Sequence, residues 1–450
     1  MPQSGALKSQ GAVSVPQHSG YHEVVRYAEE HEVPQAVPLK EVVVTGLGVM
    51  LPRCDTRASL WSHLRDGQSQ LRIEYDPEDQ QPRPVGRIDE FEPERYLQSI
   101  DKRLYRNCHR EQLLYLCSVV RALEDAELEM DHVGNERIGL FDGTSRGNIA
   151  FWYELLTKRL TDPTSRCSVR DISAGMLGQA VGITASILKI KGPTYTFNGT
   201  CASGAIAIGH AFREVQLGHV DVALGSGHDS ALIEPIFQMY RDAGLLSKEG
   251  TDPSLAIRPY TRHCMNAFGE GAVTVVLESA SHARARGAQP LARIAGYQYA
   301  NGGEHPTDVD FTGEHPARLA RDVLNDGQLE VGDVDFVLGH GNGVRASDIS
   351  ELNYMKRLFG ARTRSVPLIS TKPIYGHTLG ASSALNIAAA SLMLHHEATI
   401  PTVGSDLEAL VHGFNHQERG SEARQLKAGL VVAYGIGGQN AVLALTRAEP

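Results

Sequence analysis

Three short stretches of the chain hold residues able to carry out acyl chemistry. Cys201 stands near the start of N-G-T-C-A-S-G-A-I-A-I-G, Asn198 to Gly209. His340 lies in G-H-G-N-G, and His377 lies in K-P-I-Y-G-H-T-L-G with Lys372 five residues before it. A thiol can hold an acyl group as a thioester, and neutral imidazoles can donate hydrogen bonds to a carbonyl or enolate oxygen, so the set suits acyl transfer. Near the C-terminus, Gly435-Ile436-Gly437-Gly438 sits between two apolar runs and could offer backbone N–H groups to an oxyanion. The competing reading of Cys201 is an inert packed cysteine. With 19 histidines in the chain, only their glycine settings single out these two. Two histidines and nearby acids could also hold zinc, but the lysine in the same loop argues against it and no metal is expected.

These residues need elements to position them. An apolar run at Thr194 to Phe197 precedes Cys201, and the residues after it are so small that the helix they form should be buried on every side. A cysteine in the first turn of such a helix sits at the positive end of its dipole, which is expected to favour the thiolate. Around this unit, strand-like runs alternate with helical periods. Strands are expected at 41–46, 138–142, 220–225 and 271–278, with helices near 57–65, 111–127, 148–160 and 174–188. The alternation then restarts: strands at 291–294, 334–338, 366–370, 428–434 and 441–445, and helices at 316–324, 350–359 and 381–394. This order predicts an α/β chain with a mostly parallel sheet covered on both faces, its ligand groups gathered at strand ends. Leu47 to Val49 is expected to turn away from the first strand, and 69–99 reads as a polar surface excursion. Gly46-x-Gly48 resembles a dinucleotide-binding turn only weakly, because Leu51 occupies the third glycine's place.

The chain of 450 residues is 42% hydrophobic, enough for a large core, and its net charge of −10 argues against general nucleic-acid binding. Its six cysteines include no C-x-x-C pair, which points to a reducing, cytoplasmic setting rather than a disulfide framework. No apolar run approaches a membrane span. Met1 to Lys40 is polar and aperiodic and is expected to be a mobile tail. Two halves are expected, 41–285 with the cysteine and 286–450 with both histidines.

The motifs V-V-V-T-G-L-G-V, G-T-C-A-S-G, G-H-G-N-G, S-T-K-P-I-Y-G-H-T-L-G-A and G-I-G-G-Q-N occur in this order from Val42 onward. Together they resemble the elongating β-ketoacyl-acyl carrier protein synthases of the thiolase-like superfamily. Thiolases proper would carry a second cysteine near the C-terminus, and initiating synthases an asparagine where His377 stands. The resemblance implies a five-layered α/β/α/β/α fold of two related halves. It also implies decarboxylative condensation of a Cys201-bound acyl chain with a malonyl group on an acyl carrier protein. His340 and His377 would stabilise the enolate, and Lys372, Asp348 and Glu351 would support them. The N–H groups of Cys201 and Ile436 would form the oxyanion hole, while Asn342, Val344, Gly437 and Gly438 would meet the pantetheine arm. No cofactor is implied beyond the carrier's own phosphopantetheine. The partner would be an acyl carrier protein, and the assembly a homodimer or a heterodimer with a chain-length-factor-like subunit.

Three positions depart from the family pattern. Asn342 and Val344 replace threonines, and Ile436 replaces a bulky phenylalanine. These changes favour a specialised polyketide, polyene or modified fatty-acid pathway. The alternatives are housekeeping fatty-acid elongation and a non-condensing acyltransferase or malonyl decarboxylase on the same fold. A chain-length or docking subunit without catalysis is disfavoured by the intact Cys201, His340 and His377, and a cysteine hydrolase by the paired G-H loops.

Overall fold

The computed structural model describes residues 38–261, 265–303, 305–306, 309–404, 411–417 and 420–449. The tail expected over Met1 to Lys40 falls, through residue 37, outside the described residues, as does Cys264. Leu39 onward forms one compact unit.

Its centre is a ten-stranded sheet with a repeated plan. The strands are β1 (Val42–Met50), β2 (Ile138–Gly143), β3 (Thr194–Phe197), β4 (Val222–Asp229), β5 (Gly271–Ser279), β6 (Ala292–Asn301), β7 (Val334–Leu338), β8 (Leu368–Ile369), β9 (Ala428–Gly435) and β10 (Gln439–Thr446). Their spatial order is β3-β2-β4-β5-β1 followed by β6-β10-β9-β7-β8. Adding five to each number in the first half gives the second half read outward from the junction. Two halves of the same topology thus meet where β1 pairs antiparallel with β6. The expectation of a mostly parallel sheet needs correction. β3-β2-β4 and β8-β7-β9 are parallel, but β5 and β10 each run antiparallel to both neighbours. Long apolar runs report burial of both faces and not strand direction. Every residue of β1, β4, β5 and β9 is buried.

Five helices form the layers that matter to the site: α1 (Arg110–Asp125), α2 (Ser203–Gln216), α3 (Glu314–Asp326), α4 (Arg345–Phe359) and α5 (Gly380–His396). Helix α1 packs outside β1 and β5, and α3 packs outside β6 and β10. Between the two half-sheets lie α2 and α5, which touch each other and strands of both halves. This completes the α/β/α/β/α stack. Ser203 to Gly209 and Gly380 to Leu394 are buried without interruption, which explains their composition: only small residues let two helices and two sheets approach this closely. A Cβ at Gly204 would lie 2.6 Å from the Gly380 carbonyl oxygen and 3.0 Å from Ala384 Cβ.

Strand β1 does not turn away at Leu47. It continues to Met50 through a bulge between Val44 and Gly46. The Gly46-x-Gly48 pair serves packing, because a Cβ at Gly48 would come within 1.8 Å of the Ser118 carbonyl oxygen on α1. The 69–99 excursion contains order of its own: Arg72–Tyr75 and Pro82–Gly86 form a three-stranded sheet with Phe268–Gly269.

Candidate active site

Cys201 lies in a single 3-10 turn, Thr200–Ala202, immediately before α2. Thr200 reaches it with φ of 52°, a left-handed conformation that threonine adopts rarely. Such a bend between β3 and α2 holds the thiol at the helix entrance, where it is 8% exposed. The expected thiolate preference is reversed by burial. Desolvation pushes the Cys201 thiol up to about 11, with Asp229 adding to the rise and Lys372 and Arg146 opposing it. A helix-end field worth about 0.3–1 kcal/mol is too small to offset that. Cys201 therefore rests as a thiol and needs a base beside it.

That base is present. His377 Nε2 lies 3.0 Å from Cys201 Sγ, and its Nδ1 lies 2.9 Å from Ser382 Oγ on α5. The Ser382 hydroxyl can donate to Nδ1 or accept from it, so Nε2 can take the thiol proton or present an N–H. His340 is the second imidazole, its ring centroid 5.7 Å from that of His377 and nearly perpendicular to it. The Tyr434 N–H donates to His340 Nδ1 at 3.4 Å, which leaves the Nε2 proton for an incoming group. Burial, then the Lys372 charge, holds both imidazoles well below the usual histidine range. Both are neutral near pH 7.

Beneath the imidazoles is a buried polar frame. The Lys372 ammonium donates to the His340 carbonyl oxygen, and burial lowers Lys372 to about 8. Glu351 accepts the His340 and Gly341 N–H groups, each at 2.6 Å, and the Tyr260 hydroxyl at 3.1 Å. Asp348 accepts the Tyr260 N–H at 2.8 Å. Both acids are fully buried on α4, so they do not form a solvated helix start. Burial pushes Glu351 up to about 7 and Asp348 up to about 8 against the pull of those N–H donors. The two acids shape the His340 loop and do not face the thiol.

The glycine-rich closing loop lies against the Cys201 turn. A Cβ at Gly435 would meet Thr200 Oγ1 at 2.1 Å and the Gly199 carbonyl oxygen at 2.4 Å, and the Thr200 hydroxyl donates to the Ile436 carbonyl at 3.5 Å. The Ile436 side chain is half exposed. The Gly437 and Gly438 carbonyls accept from Asn301 and Asn440, at 2.6 and 2.8 Å. Asn342 has a local task that sequence reasoning missed: its Oδ1 accepts the Val344 N–H at 2.9 Å and the Ser347 hydroxyl at 2.7 Å. Only its amide nitrogen is left to offer a ligand. Val344 is the residue before α4 and is partly buried.

Three site residues escaped sequence reasoning. Tyr260 joins Asp348 to Glu351. Asp229, at the end of β4, ties the Ser145 and Arg146 N–H groups to the Gly380 N–H. Arg146 brings a second cation towards Cys201 and His377. For Asp229 and Arg146 the only sequence signal was position at a strand end, beside Gly225-Ser226-Gly227 and Gly143-Thr144-Ser145; Tyr260 lies in a turn far from either motif.

Residues 39–283 match the description "Beta-ketoacyl synthase, N-terminal domain" and residues 291–406 match "Beta-ketoacyl synthase, C-terminal domain". The chain belongs to the β-ketoacyl synthase family. It is 29% identical over 412 residues to 3-oxoacyl-[acyl-carrier-protein] synthase 2 of Synechocystis, a match covering 91% of this chain and 98% of the relative. It is 30% identical over 421 residues to a protein of Streptomyces halstedii provisionally named polyketide β-ketoacyl synthase 1, covering 91% and 99%. Among solved structures, the ishigamide ketosynthase/chain length factor superposes with a TM-score of 0.82 at 25% identity, covering 91% of this chain and all of that one.

Proposed function

We propose that this chain is a condensing β-ketoacyl synthase working with an acyl carrier protein in a specialised polyketide, polyene or modified fatty-acid pathway. The observation that carries the condensing reading is the placement of His377 Nε2 3.0 Å from Cys201 Sγ, with the His340 ring beside it. Cys201 attacks an acyl thioester of the carrier, a new C–S bond forms, the carrier thiol leaves, and the cysteine proton passes through His377. Malonyl-carrier protein then loses carbon dioxide. The remaining enolate oxygen is stabilised by N–H donors from His340 and His377 in a dry pocket. The enolate carbon attacks the Cys201 thioester, the C–C bond forms, the C–S bond breaks, and the departing Cys201 thiolate takes up a proton from water. The N–H groups of Cys201 and Ile436 serve as the oxyanion hole of both acyl steps.

In this scheme the backbone of Gly437 and Gly438, with the Asn342 amide and the Val344 side chain, flanks the pantetheine arm. The reaction as written uses neither metal nor cofactor apart from the carrier's phosphopantetheine. The nucleophile belongs to a first half over 41–285 and the imidazoles to a second over 286–450. Among the described residues no helix is long and apolar enough to cross a membrane, which agrees with a cytoplasmic enzyme.

Dimerisation is supported by β3, the outermost strand of its half, on which Tyr195 is exposed. Exposed Leu156, Leu160, Val169 and Ile172 lie on two helices, Ile149–Thr161 and Val169–Ala174, that precede β3 in the chain. A partner strand and an apolar surface would cover such an edge. The ishigamide neighbour, a ketosynthase/chain length factor, keeps a heterodimer alongside the homodimer. The specialised pathway rests on Asn342, Val344 and Ile436. Its test is expression in a strain lacking its elongating fatty-acid synthase: failure to restore growth is expected, and full restoration would assign the housekeeping role instead.

A further inference from the structure

Arg146 lies three residues beyond the end of β2, where its charge reaches Cys201 and His377. Its backbone N–H donates to Asp229 Oδ1 at 2.9 Å, which fixes the turn. Among the described residues its guanidinium makes one hydrogen bond, a long 3.3 Å contact from Nη2 to the Tyr240 hydroxyl. Nε is buried and has no partner. The Tyr240 ring meets Phe268 edge-on at 4.6 Å, and Phe268 shares an apolar cluster with Cys201, Phe237 and Leu379, against which Tyr240 also packs. A cation with one spare, buried N–H thus stands beside an otherwise apolar cluster that includes the nucleophile.

A plain hydrocarbon chain carried by Cys201 alongside that cluster would leave the buried N–H unsatisfied, which is costly. An oxygen on the chain would satisfy it with a charge-assisted hydrogen bond, and the guanidinium fork can hold a carbonyl or a carboxylate. We propose that Arg146, with Tyr240, selects acyl chains carrying a carbonyl or carboxylate oxygen over hydrocarbon chains of the same length. This rests on the reading of Cys201 as the acyl acceptor and adds the class of chain it accepts.

The test is the rate at which the full chain gains mass at Cys201 from four pantetheine thioesters: octanoyl, 3-oxo-octanoyl, 5-oxo-octanoyl and the octanedioyl half-thioester. At least one oxygenated thioester is expected to react about tenfold or more faster than octanoyl, and which one it is separates a keto group from a carboxylate. Arg146→Met is expected to reduce that preference about tenfold, Arg146→Lys to keep part of it, and Tyr240→Phe to reduce it less. If Arg146→Met does not fold, the wild-type preference and Tyr240→Phe still decide. Fastest reaction with octanoyl in the wild type, or an equal slowing of all four by Arg146→Met, would overturn the selection and leave the condensing reading intact. No acylation by any thioester would overturn both.

Discussion

Asp229 accepts the Gly380 N–H at 2.6 Å, so a carboxylate at the end of a first-half strand caps the second-half helix that starts three residues after His377. The same carboxylate accepts the Ser145 and Arg146 N–H groups, both at 2.9 Å, and the Thr144 hydroxyl at 3.0 Å. One buried side chain therefore joins the loop carrying Arg146 to the segment carrying His377. Asp229→Ala leaves these donors without an acceptor. A loss of about 3–5 kcal/mol in unfolding free energy is expected by urea titration, together with a fall in Cys201 acylation larger than the lost folded fraction.

The two imidazoles are expected to keep the enzyme active at mildly acid pH. Burial and the Lys372 charge hold both well below the usual range, so the condensation rate should not halve near pH 6.5 as the pH falls. Lys372→Met removes a cation, so both values rise and the acid limb moves up in pH. Rates between pH 5.5 and 9 check this. A wild-type acid limb centred at 6.5, unmoved by the substitution, would contradict it.

The resting thiol makes a separate prediction. Cys201 is pushed up to about 11, so its alkylation by iodoacetamide should climb steadily with pH through 9 and show no plateau near 7. The Cys201 adduct is followed by peptide mass. A plateau at neutral pH would mean that a thiolate–imidazolium pair, rather than the neutral pair, is the resting state.

Gly435 keeps the closing loop against the nucleophile turn. Gly435→Ala places a methyl within 2.4 Å of the Gly199 carbonyl oxygen and nearer still to Thr200 Oγ1. The loop must move, carrying the Ile436 N–H away from the oxyanion-hole position proposed for it. Since removing one oxyanion-hole donor costs about 10²–10³ in kcat, a loss of at least tenfold is expected with a destabilisation of about 1–3 kcal/mol. Equal kcat in the variant would remove the closing loop from the oxyanion hole.

What the sequence disclosed follows the range of the interactions. Strands β3 and β7 occur where apolar runs are bounded by turn residues, at Thr194–Phe197 and Val334–Leu338. The runs of small residues at the starts of α2 and α5 announced two deeply packed helices, buried without interruption over Ser203 to Gly209 and Gly380 to Leu394. Cys201, His340, Lys372 and His377 stood out because each sits in a short glycine-rich motif. Strand direction was not legible, since burial of both faces erases the alternation that marks an antiparallel strand. Asp229 was invisible because its caps join residues 151 positions apart. Tyr260 meets Asp348 across 88 positions, and Arg146 has meaning only once folding sets it beside Tyr240. The Cys201 protonation state was misjudged because a dipole can be read from a helix start, while desolvation needs the packing around it.

The role proposed for Cys201 is to carry the acyl chain to be condensed. It is tested most directly by intact-mass spectrometry of the purified chain mixed with acyl-carrier proteins and then with malonyl-carrier protein, beside Cys201→Ala. A mass gain of one acyl group is expected in the wild type and none in Cys201→Ala. Malonyl-carrier protein should then discharge that acyl group and yield a ketoacyl-carrier product. A mass gain that survives Cys201→Ala, or discharge with release of carbon dioxide but no ketoacyl product, would contradict it.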